Sequence, residues 1–206
     1  MSWNYNKKRE LFTLLPESRM SITVPSRWLA DLVAQTYLAK YPIEIAPNSI
    51  DKTVFKPVET NYLQDKHGLY GKKIVLGVST SWSDRKGLGD FIKLLDDLDD
   101  DTVVVLVGLD RKMLNRLSHL MDSRLVLLPK TDSVEELVRI YNSAHVFFNP
   151  TKEDTFPTVN LEAESCGTPV ITYDVGGCSE TIAMPESCCV SDYEHAVDAI
   201  RRILDT

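Results

Sequence analysis

Phe147-Phe148-Asn149-Pro150-Thr151-Lys152-Glu153-Asp154-Thr155-Phe156-Pro157-Thr158-Val159-Asn160-Leu161-Glu162-Ala163-Glu164-Ser165-Cys166-Gly167-Thr168-Pro169-Val170-Ile171 is the stretch whose reading decides the fold. Val146-Phe147-Phe148 is an apolar run of strand length without polar alternation, which predicts a strand covered on both faces. Pro157-Thr158 marks a helix start, and Gly167 followed by Pro169 marks its stop. A second apolar run begins directly afterwards at Val170. Open parallel sheets bind ligands where the C-terminal end of a strand feeds a helix N-terminus. The unpaired N–H groups of that first turn, at Thr158, Val159 and Asn160, suit a phosphate. Asp154 in the loop and Glu162 in the helix supply carboxylates able to accept from ribose or sugar hydroxyls. The local chemistry points to a phosphorylated, hydroxyl-rich ligand.

Outward from this stretch the same alternation repeats. Apolar runs at 74–78, 103–107, 125–128, 146–148, 170–173 and 188–190 predict strands. Amphipathic stripes lie between them. Leu88, Phe91, Ile92, Leu95 and Leu98 form one, and Met113, Leu114, Leu117, Leu120 and Met121 the next. Val134, Leu137, Val138, Tyr141 and Ala144 follow a Ser133/Glu136 capping box, and Tyr193, Val197, Ile200, Ile203 and Leu204 follow Ser191/Glu194. Strand–helix alternation at this spacing predicts an α/β fold, a Rossmann-like doubly wound parallel sheet covered on both faces.

Upstream, residues 1–19 show weak periodicity, with Leu11, Phe12, Leu14 and Leu15 as their apolar cluster. Ser21 to Pro25 and Pro42 to Pro47 read as short strands. Between them Ser26 caps a helix carrying Trp28, Leu29, Leu32, Val33 and Tyr37. Residues 58–71 read as a linker with some helix over 62–67. The expected organisation is a strand–helix–strand remnant and crossing over 1–57, then the main domain over 58–206.

Composition removes several classes. A net charge of −7 argues against a nucleic-acid partner, which normally meets a basic face. No apolar run approaches membrane-spanning length, and the polar, aromatic opening from Met1 to Arg9 does not read as a secretory leader. Cys166, Cys178, Cys188 and Cys189 lack Cys-x-x-Cys spacing, so the expectation is packed thiols in a reducing compartment and no metal. His67, His119, His145 and His195 share no spacing, and His145 precedes a buried strand as a structural residue would. The acidic run from Asp96 to Asp101 sits at the sheet end opposite the motif and reads as solvated surface.

The turn after the first regular strand, Ser79-Thr80-Ser81-Trp82-Ser83-Asp84-Arg85-Lys86-Gly87, offers small residues for close approach and two cations at a helix start, with Asp84 placed to cap. Two cations there oppose the helix dipole unless an anion joins them. A dinucleotide-binding dehydrogenase requires Gly-x-Gly-x-x-Gly at this turn, and that motif is missing, as is a Walker lysine loop. Asp110, at the end of the second strand, is too little alone to restore the dehydrogenase reading.

The motif stretch resembles the E-x7-E signature of retaining GT-B glycosyltransferases, particularly family 4. Phe156, Glu162-Ala163 and Cys166-Gly167-Thr168-Pro169-Val170-Ile171 fall in register. The first acidic position falls on Asp154, with Glu153 beside it, and Pro157 replaces the usual glycine. Arg85-Lys86-Gly87 resembles the family's cationic element, and Gly176-Gly177 followed by Glu180 its glycine-rich turn. Val24 to Ala30 and Ala46 to Pro57 resemble the last strand–helix–strand of the acceptor domain and the crossing to the donor domain. The resemblance implies a donor-binding half of a GT-B hexosyltransferase that uses a nucleoside-diphosphate sugar and no metal or other cofactor. Arg85 and Lys86 would stabilise the leaving diphosphate and Asp154, helped by Glu153, would face the sugar. Glu162 would hold the ribose, Gly87, Gly176 and Gly177 would line the donor side, and Pro129 and Lys130 would border the base. The implied partners are a glycan or lipid-linked glycan acceptor and an N-terminal acceptor domain, with peripheral association at the cytoplasmic face of the bacterial inner membrane during surface-polysaccharide synthesis. The alternatives are a donor-binding module or a degenerate subunit, each without transferase activity.

Overall fold

The computed structural model describes residues 3–120 and 122–206. Met121 of the second stripe, and Met1 and Ser2 of the leader reading, lie outside the described residues. The chain divides into one compact unit ending at Asn48 and another spanning Ser49–Thr206. Residues 49–57, read from sequence as part of the crossing, cluster with the larger unit.

The smaller unit holds helix α1 (Trp3–Phe12), strand β1 (Ile22–Val24), helix α2 (Arg27–Val33) and strand β2 (Ile43–Ile45). β1 and β2 pair in parallel, Ile22 opposite Ile43, so α2 is the crossover of a strand–helix–strand unit. Ser26 caps α2 as expected, its hydroxyl accepting from the Leu29 N–H at 3.1 Å. The helix stops at Val33, short of Tyr37. α1 is the element that weak periodicity concealed. None of its residues is buried, so no apolar stripe was needed to form it.

The larger unit opens with helix α3 (Tyr62–His67) and continues as strand β3 (Lys73–Val78), helix α4 (Leu88–Asp97), strand β4 (Thr102–Leu109), helix α5 (Arg111–Leu117), strand β5 (Leu125–Pro129), helix α6 (Val134–Asn142), strand β6 (Val146–Asn149), helix α7 (Thr158–Ser165), strand β7 (Val170–Tyr173), strand β8 (Cys188–Val190) and helix α8 (Tyr193–Leu204). All six strands β3–β8 run parallel in the order β5-β4-β3-β6-β7-β8. The chain therefore winds one way from β3 and the other way from β6. That is the doubly wound arrangement predicted, with its switch point between β3 and β6.

Alternate strand residues feed opposite faces. Val75, Val104, Leu106, Val146, Phe148 and Ile171 pack with Phe91, Leu94, Leu117 and Ile200 of α4, α5 and α8. Ile74, Leu76, Val103, Val105, Phe147 and Val170 pack with Leu63, Val138, Tyr141 and Ala163 of α3, α6 and α7. A strand buried on both faces has no polar alternation to show, which is why the runs read as continuous.

Several helix details differ from the sequence reading. Val134 and Leu120 are exposed, and Ile140 takes a core place that the α6 stripe omitted. Ser133 caps α6 by accepting from the Glu136 N–H at 3.1 Å, but Glu136 accepts from the Asp132 N–H at 2.9 Å instead of closing a reciprocal box. Its other oxygen is drawn to Tyr62 and Lys66 of α3. α8 is capped one residue late, by Asp192 accepting from the His195 N–H, while Glu194 pairs with Lys93 at 2.9 Å. Asp110 caps α5, accepting from the Met113 N–H at 2.7 Å. His145 is structural as expected, its Nδ1 accepting from the Ile74 N–H at 3.1 Å.

Gly77 lies within β3, where an added Cβ would fall 2.4 Å from the Phe91 ring, itself wedged edge-on between Trp82 and Phe148. Gly77→Ala should lower unfolding free energy by about 1–3 kcal/mol through overpacking. Gly89→Ala, where a Cβ in α4 meets nothing within 4 Å, should raise it by about 0.5 kcal/mol through helix propensity. Urea unfolding of the two variants checks the opposite signs.

Candidate functional site

The loops after β3 and β6 leave the sheet at the same end and part at the switch point. Between them lies a cleft of about 290 Å³ lined by Ser79, Thr80 and Trp82 from the first loop, Lys86, Asn149 and Pro150, and Thr158, Val159 and Glu162 of α7. Its floor and walls are Val78, Phe91, Leu137 and Phe148. Apolar walls with a few convergent polar groups are what a small-molecule site offers.

The first loop is held by Trp82, whose buried indole N–H donates to the Val107 carbonyl at 2.9 Å. Asp84–Lys86 then form a 3-10 turn ended by Gly87 in the left-handed region at φ 71°. The two cations thus precede α4 and do not occupy its first turn. Asp84 caps nothing with its side chain; instead its carbonyl accepts from the Gly87 N–H at 3.1 Å. Gly87 has a second reason to be glycine, because a Cβ would lie 2.2 Å from the Pro150 carbonyl. This close approach brings the two loops together.

Four bonds then stitch them. The Lys152 N–H donates to the Arg85 carbonyl at 2.8 Å, and the Arg85 guanidinium donates to the Glu153 carbonyl at 2.8 Å. The Thr151 hydroxyl, fully buried, reaches the Arg85 carbonyl at 3.4 Å. The Lys86 ammonium donates to Asp154 Oδ2 at 2.6 Å, both side chains being largely shielded. Asp154 Oδ1 accepts from the Phe156 N–H at 3.2 Å. Of the two adjacent acids, Asp154 is the one turned to the lysine; Glu153 is exposed and joins the network through its carbonyl alone.

The glycine-rich turn supports this loop from behind. The Gly177 N–H donates to the Asp154 carbonyl at 3.0 Å, and Gly176, at φ 58°, would place a Cβ 1.9 Å from that carbonyl. Gly176 and Gly177 therefore fit the Asp154 backbone, and neither lines the cleft. Pro129 and Lys130 are exposed at the end of β5 and do not line it either.

On α7, three residues expected to act alike do different things. Thr158 and Val159 line the cleft, and the first residues of a helix have N–H groups without intrahelical acceptors. Asn160 does not join them. Its N–H is engaged by the Pro157 carbonyl at 3.2 Å, and its side chain is fully buried. The Asn160 amide accepts from Asn149 Nδ2 at 2.8 Å and donates to Thr181 Oγ1 at 2.9 Å, tying β6, α7 and the segment after β7 together. Glu162 does face the cleft. Its Oε2 accepts from the Tyr141 hydroxyl at 2.9 Å. Burial pushes its carboxyl above the ordinary glutamate range, opposed by the hydroxyls of Tyr141 and Thr158. Tyr141, Trp82, Leu137 and Asn149 are the site-forming residues that the sequence reading missed; Tyr141 was legible only as a member of a core stripe.

The four cysteines are free thiols, Cys166 and Cys178 buried and Cys188 and Cys189 half-buried. Burial pushes Cys166 and Cys178 up to about 11 and Cys189 up to about 12. No group of three or more His, Cys, Asp and Glu side chains able to hold a metal ion occurs among the described residues. Among those residues no helix is long and apolar enough to cross a membrane.

A parallel doubly wound sheet thus carries a cationic turn, a helix N-terminus and a half-buried acid at its switch point. Residues 60–206 match the family described as glycosyl transferases group 1, and the chain belongs to that family. It is 25% identical over 177 residues to an alpha-galactosylglucosyldiacylglycerol synthase of Streptococcus pneumoniae, covering 82% of this chain and 47% of that protein. It is 30% identical over 181 residues to a D-inositol 3-phosphate glycosyltransferase of Pseudarthrobacter chlorophenolicus, covering 82% of this chain and 43% of the relative. The fold is shared with Anabaena HepE, solved in complex with UDP-glucose, at a TM-score of 0.78 and 16% identity, over 98% of this chain and 58% of that one. The chain thus spans about half the length of the relatives it matches.

Asn160→Ala should lower unfolding free energy by about 1–3 kcal/mol, because it strands the Asn149 amide in a buried place. An unchanged urea midpoint would show that the amide chain does not hold α7.

Proposed function

We propose that this chain is the donor-binding half of a retaining, metal-independent glycosyltransferase of the family 4 type. It would present a nucleoside-diphosphate sugar for transfer of a hexosyl group to a glycan acceptor. The observation that carries the reading is the composition of the switch-point cleft: one cation, two first-turn N–H groups and one half-buried carboxylate around a single crevice. The cation and the N–H groups match the diphosphate, and the carboxylate matches the ribose.

The diphosphate gathers charge as the bond from the anomeric carbon to the departing phosphate oxygen breaks. Lys86 and the N-terminus of α7, at Thr158 and Val159, are preorganised to meet that charge. Arg85, bonded to the Glu153 carbonyl, lies one residue from Lys86 and would add its charge at the rim. Glu162 would accept from the ribose hydroxyls. Asp154 would turn to the sugar as Lys86 exchanges its carboxylate partner for phosphate. In front-face retention the acceptor oxygen bonds to the anomeric carbon on the side the phosphate leaves, and its proton passes to the departing phosphate oxygen. The acceptor pocket would come from an N-terminal acceptor domain, so the chain alone would bind donor without turning it over. A lipid-linked glycan acceptor is in keeping with the glycolipid synthase among its relatives; surface-glycan synthesis and peripheral association at the cytoplasmic face of the inner membrane complete the proposal.

Calorimetric titration with UDP, other nucleoside diphosphates and their sugars tests this, with and without Mg²⁺. One nucleotide should bind equally well under both conditions. Lys86→Ala and Glu162→Gln should each weaken it about tenfold, the scale of one lost charged hydrogen bond. Indifference of the best ligand to both substitutions would overturn the reading.

A further inference from the structure

We infer that Tyr141 is a positioning residue that sets sugar specificity on the nucleoside side, aiming the Glu162 carboxylate so that the cleft selects a ribose diol over a deoxyribose. The inference rests on the donor-binding reading above and concerns a residue outside the cleft lining.

Tyr141 has no freedom to follow its partner. It is fully buried in α6, and its ring meets Phe147 edge-on at 5.6 Å and Phe55 at 6.4 Å. Its carbonyl accepts from the Thr168 hydroxyl at 2.7 Å, which ties this turn of α6 to the segment between α7 and β7. Two aromatic contacts and a backbone anchor leave only the hydroxyl torsion. Glu162, by contrast, is a partly exposed side chain of three rotatable bonds, and it meets the phenol at 2.9 Å. The rigid member of the pair is the tyrosine, so the tyrosine sets where the carboxylate lies.

Counting lone pairs shows what that placement leaves. An ionised carboxylate offers about four acceptor sites. The Tyr141 hydroxyl fills one, and the Thr158 hydroxyl also favours the charged form. At least two remain, on a group that lines the cleft. A vicinal diol brings two donors. A site built around a hydroxyl rejects the analogue that lacks it far more strongly than an apolar pocket rejects an added methylene, because its buried acceptor is left without a partner. Burial holds the phenol far above its usual range, the Glu162 charge adding to this, so it remains a donor at any physiological pH. The other titratable groups around the carboxylate are Cys166, directly after the helix and kept protonated by burial, and Lys86, on the opposite lip of the cleft.

Tyr141→Phe keeps the ring, its aromatic contacts and its volume, and removes only the donor. The probes are UDP, GDP, ADP and CDP with their 2′,3′-dideoxy counterparts, and dTDP, titrated against wild type, Tyr141→Phe and Glu162→Gln. Tyr141→Phe should weaken the best ribonucleotide roughly tenfold and leave its dideoxy counterpart within about twofold. Glu162→Gln should collapse the same discrimination. A second readout needs no nucleotide. Carbon-13 NMR of labelled glutamate carboxyls, with the Glu162 signal assigned from the Gln variant, should show the Glu162 titration midpoint moving upward in Tyr141→Phe. Equal weakening of both sugars, no weakening of either, an unmoved midpoint or a preference for dTDP would each overturn the inference. Loss of ribonucleotide binding in Glu162→Gln with unchanged discrimination in Tyr141→Phe would overturn it while leaving the donor reading intact.

Discussion

The pairing of β3 with β6 is the constraint on which the rest depends. Val75 lies opposite Val146 and Leu76 opposite Phe147, a short parallel ladder between strands far apart in sequence. From these neighbours the chain winds outward in opposite directions, to β4 and β5 on one side and to β7 and β8 on the other. Two loops that leave adjacent strands and turn away from each other cannot fill the space between them. The crevice is therefore a consequence of topology, and it exists before any side chain is chosen to line it. The apolar runs that make the ladder also supply the cleft's floor, since Val78 at the end of β3 and Phe148 one residue before the end of β6 both line it.

What topology opens, close backbone contact then narrows. Gly87 against Pro150 and Gly176 against Asp154 are approaches that no other residue permits without displacement. Around them the bonds from Arg85 to Glu153 and from Lys86 to Asp154 fasten the loop after β3 to the loop after β6. A largely shielded ion pair gains little net stability once the desolvation of both partners is counted. Its weight here is electrostatic. Lys86 is balanced by one carboxylate, and a dianionic ligand that approaches it competes for a cation that is already in place and already oriented.

Legibility from sequence divides along a physical line. The six strands, the helix start at Pro157 and the stop at Gly167 were all readable, because each follows from local residue type and period. Helix caps were readable to within a residue. Asp192 displaced Ser191 as the cap of α8, and Glu136 abandoned its box for partners on α3; in both cases the competing group lies outside the local window or has chemistry equal to the expected one. α1 was hidden because it buries nothing. Lys86 and Glu162, which line the cleft, and Asp154, which pairs with Lys86, stand out by charge and register, but the direction of each neighbouring group does not. Asn160 looks like a ligand contact and is a buried tie, Gly176 looks like a ligand cradle and fits a backbone, and Tyr141 looks like core. Each is settled by what lies across the sheet, which periodicity does not encode.

α7 shows how one short helix serves both ends at once. Successive residues of a helix advance by about 100°, so Asn160 and Glu162, two apart, point to nearly opposite sides. Asn160 turns into the sheet and joins Asn149 and Thr181. Glu162 turns to the cleft and to Tyr141 of α6. The polar chain on the first side fixes where the helix starts, and the start fixes the position of Thr158 and Val159 and the height of Glu162 above the β6 end. A helix held by apolar packing alone could slide along its axis at small cost, because apolar contact is non-directional. A buried amide with defined donors and acceptors cannot slide without breaking a bond. The buried Asn160 amide is thus the means by which the helix holds the cleft's carboxylate and its first-turn N–H groups in one frame.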